Sequence, residues 1–192
     1  MLVYTDLNLL TSRLSLRPLV SSDAQALFSI FSDSRVMRYW SSPSWESVAV
    51  SEKFIERDQQ AMADGKHLRL AITSRVDGSF FGTCTLFDHV LQCRRAEVGF
   101  GLSPSAWGKG IATEAVGELL TFGFTVMGLN RVEADIDPRN AASAKCLERL
   151  GFAKEGHLRE RWIVAGEVSD SALYGILHDE WIAARRQGQR DA

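Results

Sequence analysis

Residues 98–116, VGFGLSPSAWGKGIATEAV, change their hydrophobic period from two to 3.6 within a few positions. The segment opens as an apolar strand from Glu97 to Leu102 and breaks at Ser103-Pro104-Ser105. It then passes through Gly108-Lys109-Gly110 and continues as a helix to about Met127, closed by Gly128. A strand that feeds a helix through a glycine turn is the entry to a crossover, which limits the topologies open to the chain. The flanking patterns complete the order β, α, α, β, β, β, α, β, α, β, β, a mixed α/β layout with one crossover helix.

Each element has its own signal. LTSRLSLRPL alternates Leu10, Ser12, Leu14 and Leu16 with Arg13, Ser15 and Arg17, so it predicts a first strand. Ser22-Asp23 predicts a helix N-cap, with Ala24, Leu27, Phe28 and Phe31 on the inner face. A second helix is expected over 47–63 with Val50, Phe54, Ile55 and Met62 inward, stopped by Gly65. HLRLAIT and FFGTCTLF are two strands joined at Asp77-Gly78, a hairpin signal. RVEADID alternates with Val132, Ala134 and Ile136 on one face, and a short helix follows over 141–150, ended by Gly151. RERWIVA and VSDSALYGIL read as the last two strands. One domain over 1–182 is expected, with 183–192 a frayed tail.

Helix N-termini carry unpaired N–H groups and partial positive charge. Glycines ahead of one let a ligand reach the backbone, so Gly108, Gly110 and the N–H groups through Thr113 form a candidate phosphate cradle, with Lys109 adding charge. A strand-to-helix turn without a ligand is the competing reading. A Walker loop needs Ser or Thr at position 110, and a dinucleotide fingerprint needs Gly at position 113, which is Thr. Neither fits. Gly99 and Gly101 alternate within the preceding strand, where glycine marks a bulge or a close backbone approach. Together these features suit an extended ligand lying along the strand with phosphates on the helix. Coenzyme A has that form: a pantetheine arm with two amides, then a pyrophosphate.

Here the sequence resembles the GNAT superfamily of N-acetyltransferases. The family signature Arg/Gln-x-x-Gly-x-Gly/Ala is met by Trp107-Gly108-Lys109-Gly110-Ile111-Ala112 at every position but the first, where Trp107 stands. That replacement resembles the branch of ribosomal-protein N-terminal acetyltransferases. RLSLRPL, AEVGFGL, DPRNAASAKCLERLGF, EGHLRERW and ALYGIL extend the likeness along almost the whole chain. The resemblance implies the GNAT fold, a central mixed β-sheet splayed at the cofactor strand and flanked by helices. It implies acetyl-CoA as cosubstrate and transfer of acetyl to a primary amine, first of all a protein N-terminal α-amine. It places the cofactor on Phe100, Gly101, Leu102, Gly108, Lys109, Gly110, Ile111, Ala112, Thr113, Asn140 and Ser143.

Attack of an amine on a thioester needs a neutral amine, a polarised carbonyl and stabilisation of the departing thiolate. Glu97 is the candidate base, at the strand position where some family members carry a catalytic glutamate. A cross-strand ion pair with Arg94 or Arg95 is the alternative. Glu160 is a second carboxylate on the acceptor side, or a solvated charge. Many relatives use a tyrosine acid where this chain has Leu147. The ribosomal branch instead has a serine three residues after an asparagine, matched by Asn140 and Ser143. Both residues also serve as a helix cap. Trp40, Trp45 and Trp162 frame a possible acceptor pocket with Phe100, or pack the core. Cys146 belongs to an apolar helix face.

The 192-residue chain has a net charge of -2 and a pI of about 6.1, which gives no reason to expect nucleic acid. There is no signal-peptide pattern and no membrane-length apolar run. Three cysteines and four histidines show no metal spacing. A cytoplasmic enzyme without metal, monomeric or homodimeric, is expected. Small amines such as a polyamine, an amino acid or an aminoglycoside are alternative acceptors. A non-catalytic acyl-CoA-binding module is the alternative from another class.

Overall fold

The computed structural model describes residues 6–188. In chain order the elements are β1 (Leu9–Leu10), β2 (Leu14–Arg17), α1 (Ala24–Phe31), α2 (Ser34–Met37), α3 (Val48–Ala63), β3 (Leu68–Ser74) and β4 (Phe80–Val90). They continue as β5 (Arg95–Leu102), α4 (Ile111–Thr125), β6 (Arg131–Ile136), α5 (Ala141–Arg149), β7 (Ala153–Val164), β8 (Glu167–Leu177) and α6 (His178–Gly188). The strands form one eight-stranded sheet in the order β1-β2-β3-β4-β5-β6-β8-β7. Every neighbouring pair is antiparallel except β5 and β6, which are joined by the crossover helix α4.

Alternation along β3 divides the interior in two. Leu68, Leu70 and Ile72 enter the larger core, against the inner faces of α4, α5 and α6. Ala71 turns the other way, into a smaller core with Leu27, Ile30, Phe31, Met37 and Ile55 from α1, α2 and α3. The crossover helix therefore covers one face of the sheet and the first three helices part of the other.

Several expectations are corrected. The alternating run at 10–19 is not one strand. Thr11 Oγ1 accepts the N–H groups of Leu14 (2.8 Å) and Arg13 (3.3 Å), and the turn this makes leaves Leu10 exposed. Asp23 does not cap α1 with its side chain. Its carboxylate pairs with Arg17 at 2.7 and 2.8 Å and accepts the Val20 N–H at 2.9 Å. Phe28 is half-buried while Ile30 takes the inner face. On α3, Val50 is 40% exposed and Ser51 is buried in its place, its hydroxyl donating to the Ala24 carbonyl at 2.8 Å. The sequence patterns do not predict helices α2 and α6. α6 runs through residues 183–188 of the segment read as a frayed tail, and residues 189–192 lie outside the described residues.

Candidate active site where the sheet divides

β5 and β6 pair over three residues only: Arg95 opposite Arg131, Ala96 opposite Val132, Glu97 opposite Glu133. Beyond Glu97, β5 continues beside β4 while β6 stays with β8, pairing as far as Ile136 opposite Ala172. A wedge therefore opens between them, with Glu97 at its apex. The Ser103 N–H donates to the Phe81 carbonyl at 2.8 Å. In an antiparallel ladder this makes the odd-numbered residues of β5 the ones that exchange hydrogen bonds with β4. The backbone groups of Val98, Phe100 and Leu102 then face the wedge, where the peptide-like amides of an extended ligand would pair. The Leu102 carbonyl is already taken by the Trp107 indole N–H at 3.0 Å.

The two glycines of β5 divide their roles. A Cβ on Gly101 would lie 2.7 Å from Trp40 Cζ2, so the ring of Trp40 fills the space its missing side chain leaves. Its backbone groups turn to β4 as well, so Gly101 provides a seat for Trp40. A Cβ on Gly99 would meet only Phe87 Cε1, at 3.3 Å.

Past the wedge, Gly108 and Gly110 both adopt positive φ (70° and 73°), and Gly110 is the N-cap of α4 without a side-chain cap. The N–H groups from Gly108 to Thr113 find no acceptor among the described residues. The turn lies open on the surface with Lys109 beside it. Sequence reasoning missed Arg13, whose Nη1 donates to the Lys109 carbonyl at 3.1 Å while Glu114 on α4 holds the same guanidinium at 2.6 Å. Its signal, a basic residue in a distant turn before β2, cannot be told from a solvated surface charge. Asn140 caps α5, its Oδ1 accepting the Ser143 N–H at 3.1 Å. The Ser143 hydroxyl has no partner among the described residues and borders the cavity. Leu147 is fully buried in the larger core, and Cys146 is buried with its Sγ 3.6 Å from Thr113 Oγ1.

On the face of the sheet that carries Glu97 lies a cavity of about 810 Å³. Trp40 and Trp45 wall it, packed on Phe31 at ring distances of 5.0 and 4.9 Å, and Phe54 stands 5.1 Å from Trp45. Trp162 borders it from β7, its indole donating to Ser171 Oγ at 3.1 Å. Phe100 lines it too. Glu160 does not reach it. That residue sits exposed where β7 slips register against β8, with its N–H donated to Asp170 Oδ1 at 2.8 Å. The missed lining residues are polar: Arg69 on β3, Thr83 and Thr85 on β4, Asp135 on β6 and Arg139 before α5. Arg139 lies in the DPRN segment without a signal of its own, and the others had no local motif because the sheet gathers them from strands far apart in sequence.

Burial pushes the Glu97 carboxyl up from 4.5 to about 7, assisted by the negative charges of Asp135, Asp88 and Glu133 and opposed by Arg161. The ion pair expected as its alternative role does not form among the described residues. Arg95 instead pairs diagonally across the parallel ladder with Glu133, the residue opposite Glu97. Glu97 thus stands at the apex of the wedge as a carboxyl that gains and loses a proton near neutrality. No group of three or more metal-ligating side chains occurs among the described residues. No helix among them is long and apolar enough to cross a membrane.

A family model described as an acetyltransferase (GNAT) domain matches residues 13–153. The chain is 34% identical over 173 residues to p20 of Bacillus licheniformis, named an uncharacterized N-acetyltransferase, covering 90% of this chain and 97% of that one. Among solved structures, the spermidine N-acetyltransferase of Vibrio cholerae in complex with CoA and spermine superposes with a TM-score of 0.80 at 24% identity. That match covers 90% of this chain and 99% of the other, and it speaks to the fold. The ribosomal-protein-S5-alanine acetyltransferase of Vibrio fischeri gives a TM-score of 0.79 at 25% identity, over 92% and 99% of the two chains.

Proposed function

Because the chain belongs to the GNAT acetyltransferases, it is an acetyl-CoA-dependent N-acetyltransferase, and we propose that Glu97 serves as the base for a primary amine bound in the aromatic cavity. The observation that carries this reading is the position of Glu97, at the apex of the wedge, lining the cavity and ionising near neutral pH. Acetyl-CoA supplies an activated acetyl group on a sulfur leaving group. The residues present fit it. The free backbone edge at Val98 and Phe100 suits the pantetheine amides. The unpaired N–H groups from Gly108 to Thr113, beside Lys109 and Arg13, suit the pyrophosphate.

The acceptor enters as an ammonium ion. Glu97 takes its proton, directly or through water, and the freed nitrogen attacks the thioester carbonyl. The C–N bond forms, the C–S bond breaks and the thiolate departs near α5, while the nitrogen gives its second surplus proton to solvent and becomes the neutral amide. The Ser143 hydroxyl donates a hydrogen bond to the sulfur as charge builds there. A thiolate of ordinary basicity leaves without full protonation, so the buried Leu147 at the expected tyrosine position is no obstacle.

For the acceptor, the reading supported best is an α-amine on an apolar body, the class to which a protein N-terminus belongs. Trp40, Trp45, Phe54 and Trp162 provide the apolar walls. The lining mixes both signs and gives a polyamine no uniformly acidic cleft: Arg38, Arg69 and Arg139 accompany Glu97, Asp135, Asp137 and Glu167, and Arg139 pairs with both Asp137 (2.6 Å) and Glu167 (2.7 Å). We place the reaction in the cytoplasm, in a monomer or homodimer.

Ser143→Ala tests the thiolate contact. Loss of a donor in a closed site costs about 10²- to 10³-fold, and this wedge is open, so the expected fall is about 10- to 10²-fold in single-turnover transfer. CoA affinity should change little, since Asn140 caps the Ser143 N–H and not its hydroxyl. A single-turnover rate equal to wild type, with chemistry limiting, returns Ser143 to the helix cap.

A further inference from the structure

Among the cations that line the cavity, Arg69 is in an unusual position. It lies on β3, opposite Thr85 of β4, which in turn lies opposite Gly99 of β5. Its side chain is 22% exposed, and its guanidinium lies 4.6 Å from the centre of the Phe54 ring. Both its polar contacts use Nε: a hydrogen bond to Thr85 Oγ1 at 3.0 Å and an ion pair with Asp58 Oδ1 at 3.3 Å. Asp58 shares that oxygen with His67 Nε2 at 2.7 Å. Nη1 and Nη2 make no hydrogen bond among the described residues. Arg139, by contrast, spends its guanidinium on Asp137 and Glu167, and Arg38 is exposed at the rim beside Tyr39.

A half-used guanidinium in a mostly apolar cavity is costly, and a carboxylate is the group its planar fork fits best. The route between Arg69 and Glu97 is unobstructed by any side chain at Gly99. From the strand spacing and rise, the Cα atoms of Arg69 and Glu97 are about 12 Å apart, and their long side chains shorten that span on the same face. One small acceptor can therefore meet both groups, its ammonium at Glu97 and an anion at Arg69.

We propose that Arg69 selects acceptors that carry a carboxylate in addition to the amine. This rests on the acetyl-transfer reading and narrows its substrate class. The carboxylate is that of a free amino acid with an apolar side chain, or that of an acidic residue following a peptide N-terminus. Polyamines lack the group altogether.

The test compares kcat/KM for matched acceptors by release of CoA thiol. Phenylalanine is set against 2-phenylethylamine, and the peptide amide Ala-Asp-Phe-NH2 against Ala-Asn-Phe-NH2. Spermidine is included as a polycation. In the wild-type protein the carboxylate member of at least one pair should be preferred by about 10- to 10²-fold, the scale of a hydrogen-bonded charge pair. The pair that shows the preference identifies the source of the carboxylate. Arg69→Gln should bring that ratio towards one, and Arg69→Lys should keep part of it. A purely structural Arg69 lowers both members of a pair together and leaves their ratio unchanged. The inference is overturned by equal rates within both pairs, by a preference that survives Arg69→Gln, or by transfer to spermidine with none to either carboxylate acceptor. In that last case acetyl transfer itself stands. Failure of CoA binding and of transfer to every amine instead strikes the parent reading.

Discussion

Glu97→Gln is expected to slow acetyl transfer by about 10² or more at neutral pH while making the folded protein more stable. The first effect is the loss of the base, worth at least 10²-fold when a carboxylate takes the proton of the attacking group. CoA binding should persist, because Gln keeps the volume at the apex of the wedge. The wild-type kcat/KM should fall as pH drops below about 7, where Glu97 takes up its proton, and the mutant should lack that limb. Raising the pH should partly rescue the mutant by supplying more neutral amine.

The second effect follows from linkage. Glu97 ionises at 4.5 when exposed to water and at about 7 in the folded protein, so the folded state binds the proton more tightly. Its stability is full below 4.5 and is lost progressively as pH rises from 4.5 to about 7, after which the cost is constant. Full conversion of the shift would give more than 3 kcal/mol. Partial solvent access reduces that to about 1–2 kcal/mol. Urea unfolding at pH 5 and pH 8 checks this: the mutant's gain relative to wild type should be small at pH 5 and full at pH 8. Equal stability at both pH values would mean that the carboxyl is not strained by its site.

Gly110→Val should abolish CoA binding, whose expected affinity is micromolar, about -8 kcal/mol. Gly110 has a φ of 73° at the N-cap of α4. The nearest atom to an added Cβ is Arg13 Nη2 at 3.6 Å, so space is available and the difficulty is the backbone. A β-branched residue in the left-handed region costs about 1–3 kcal/mol, relieved by turning the N–H groups away from a common centre. The side chain also stands where phosphate oxygens must approach. Gly110→Ala carries a smaller version of the same strain. Calorimetry on the folded variants decides: unchanged affinity in Gly110→Val contradicts the cradle.

The parts of this protein legible in its sequence are those with local causes. The Asp77-Gly78 hairpin has its glycine at a φ of 72°, and the period change after β5 does deliver a crossover helix, because both depend on residues close in sequence. The asparagine cap of α5 likewise sits three residues from the N–H it satisfies. Misreadings arise where distant partners decide. Hydrophobicity alone turns Val50 of α3 inward, yet the buried stripe runs through Ser51, Ile55, Asp58 and Met62. Ser51 is tolerated there because α1 offers the Ala24 carbonyl, and Asp58 because His67 and Arg69 reach it. Glu97 has arginines beside it in sequence, but the parallel ladder hands Arg95 to Glu133 and leaves Glu97 facing the cavity. Gly101 signals a close approach, and only the fold reveals that Trp40 makes it. Arg69 gives no sequence signal, since its place depends on three strands being in register.

We propose acetylation of an amine in the aromatic cavity from acetyl-CoA with Glu97 as its base. Intact-mass analysis of a mixed pool of amino acids, short peptides and polyamines, incubated with acetyl-CoA and either wild-type protein or Glu97→Gln, tests it most directly. The expected result is one acetyl group gained by a primary amine, matched by release of CoA thiol, with wild type and nearly none with the mutant at neutral pH. Equal acetylation by the two proteins, or CoA bound by wild type with no amine acetylated, would contradict it.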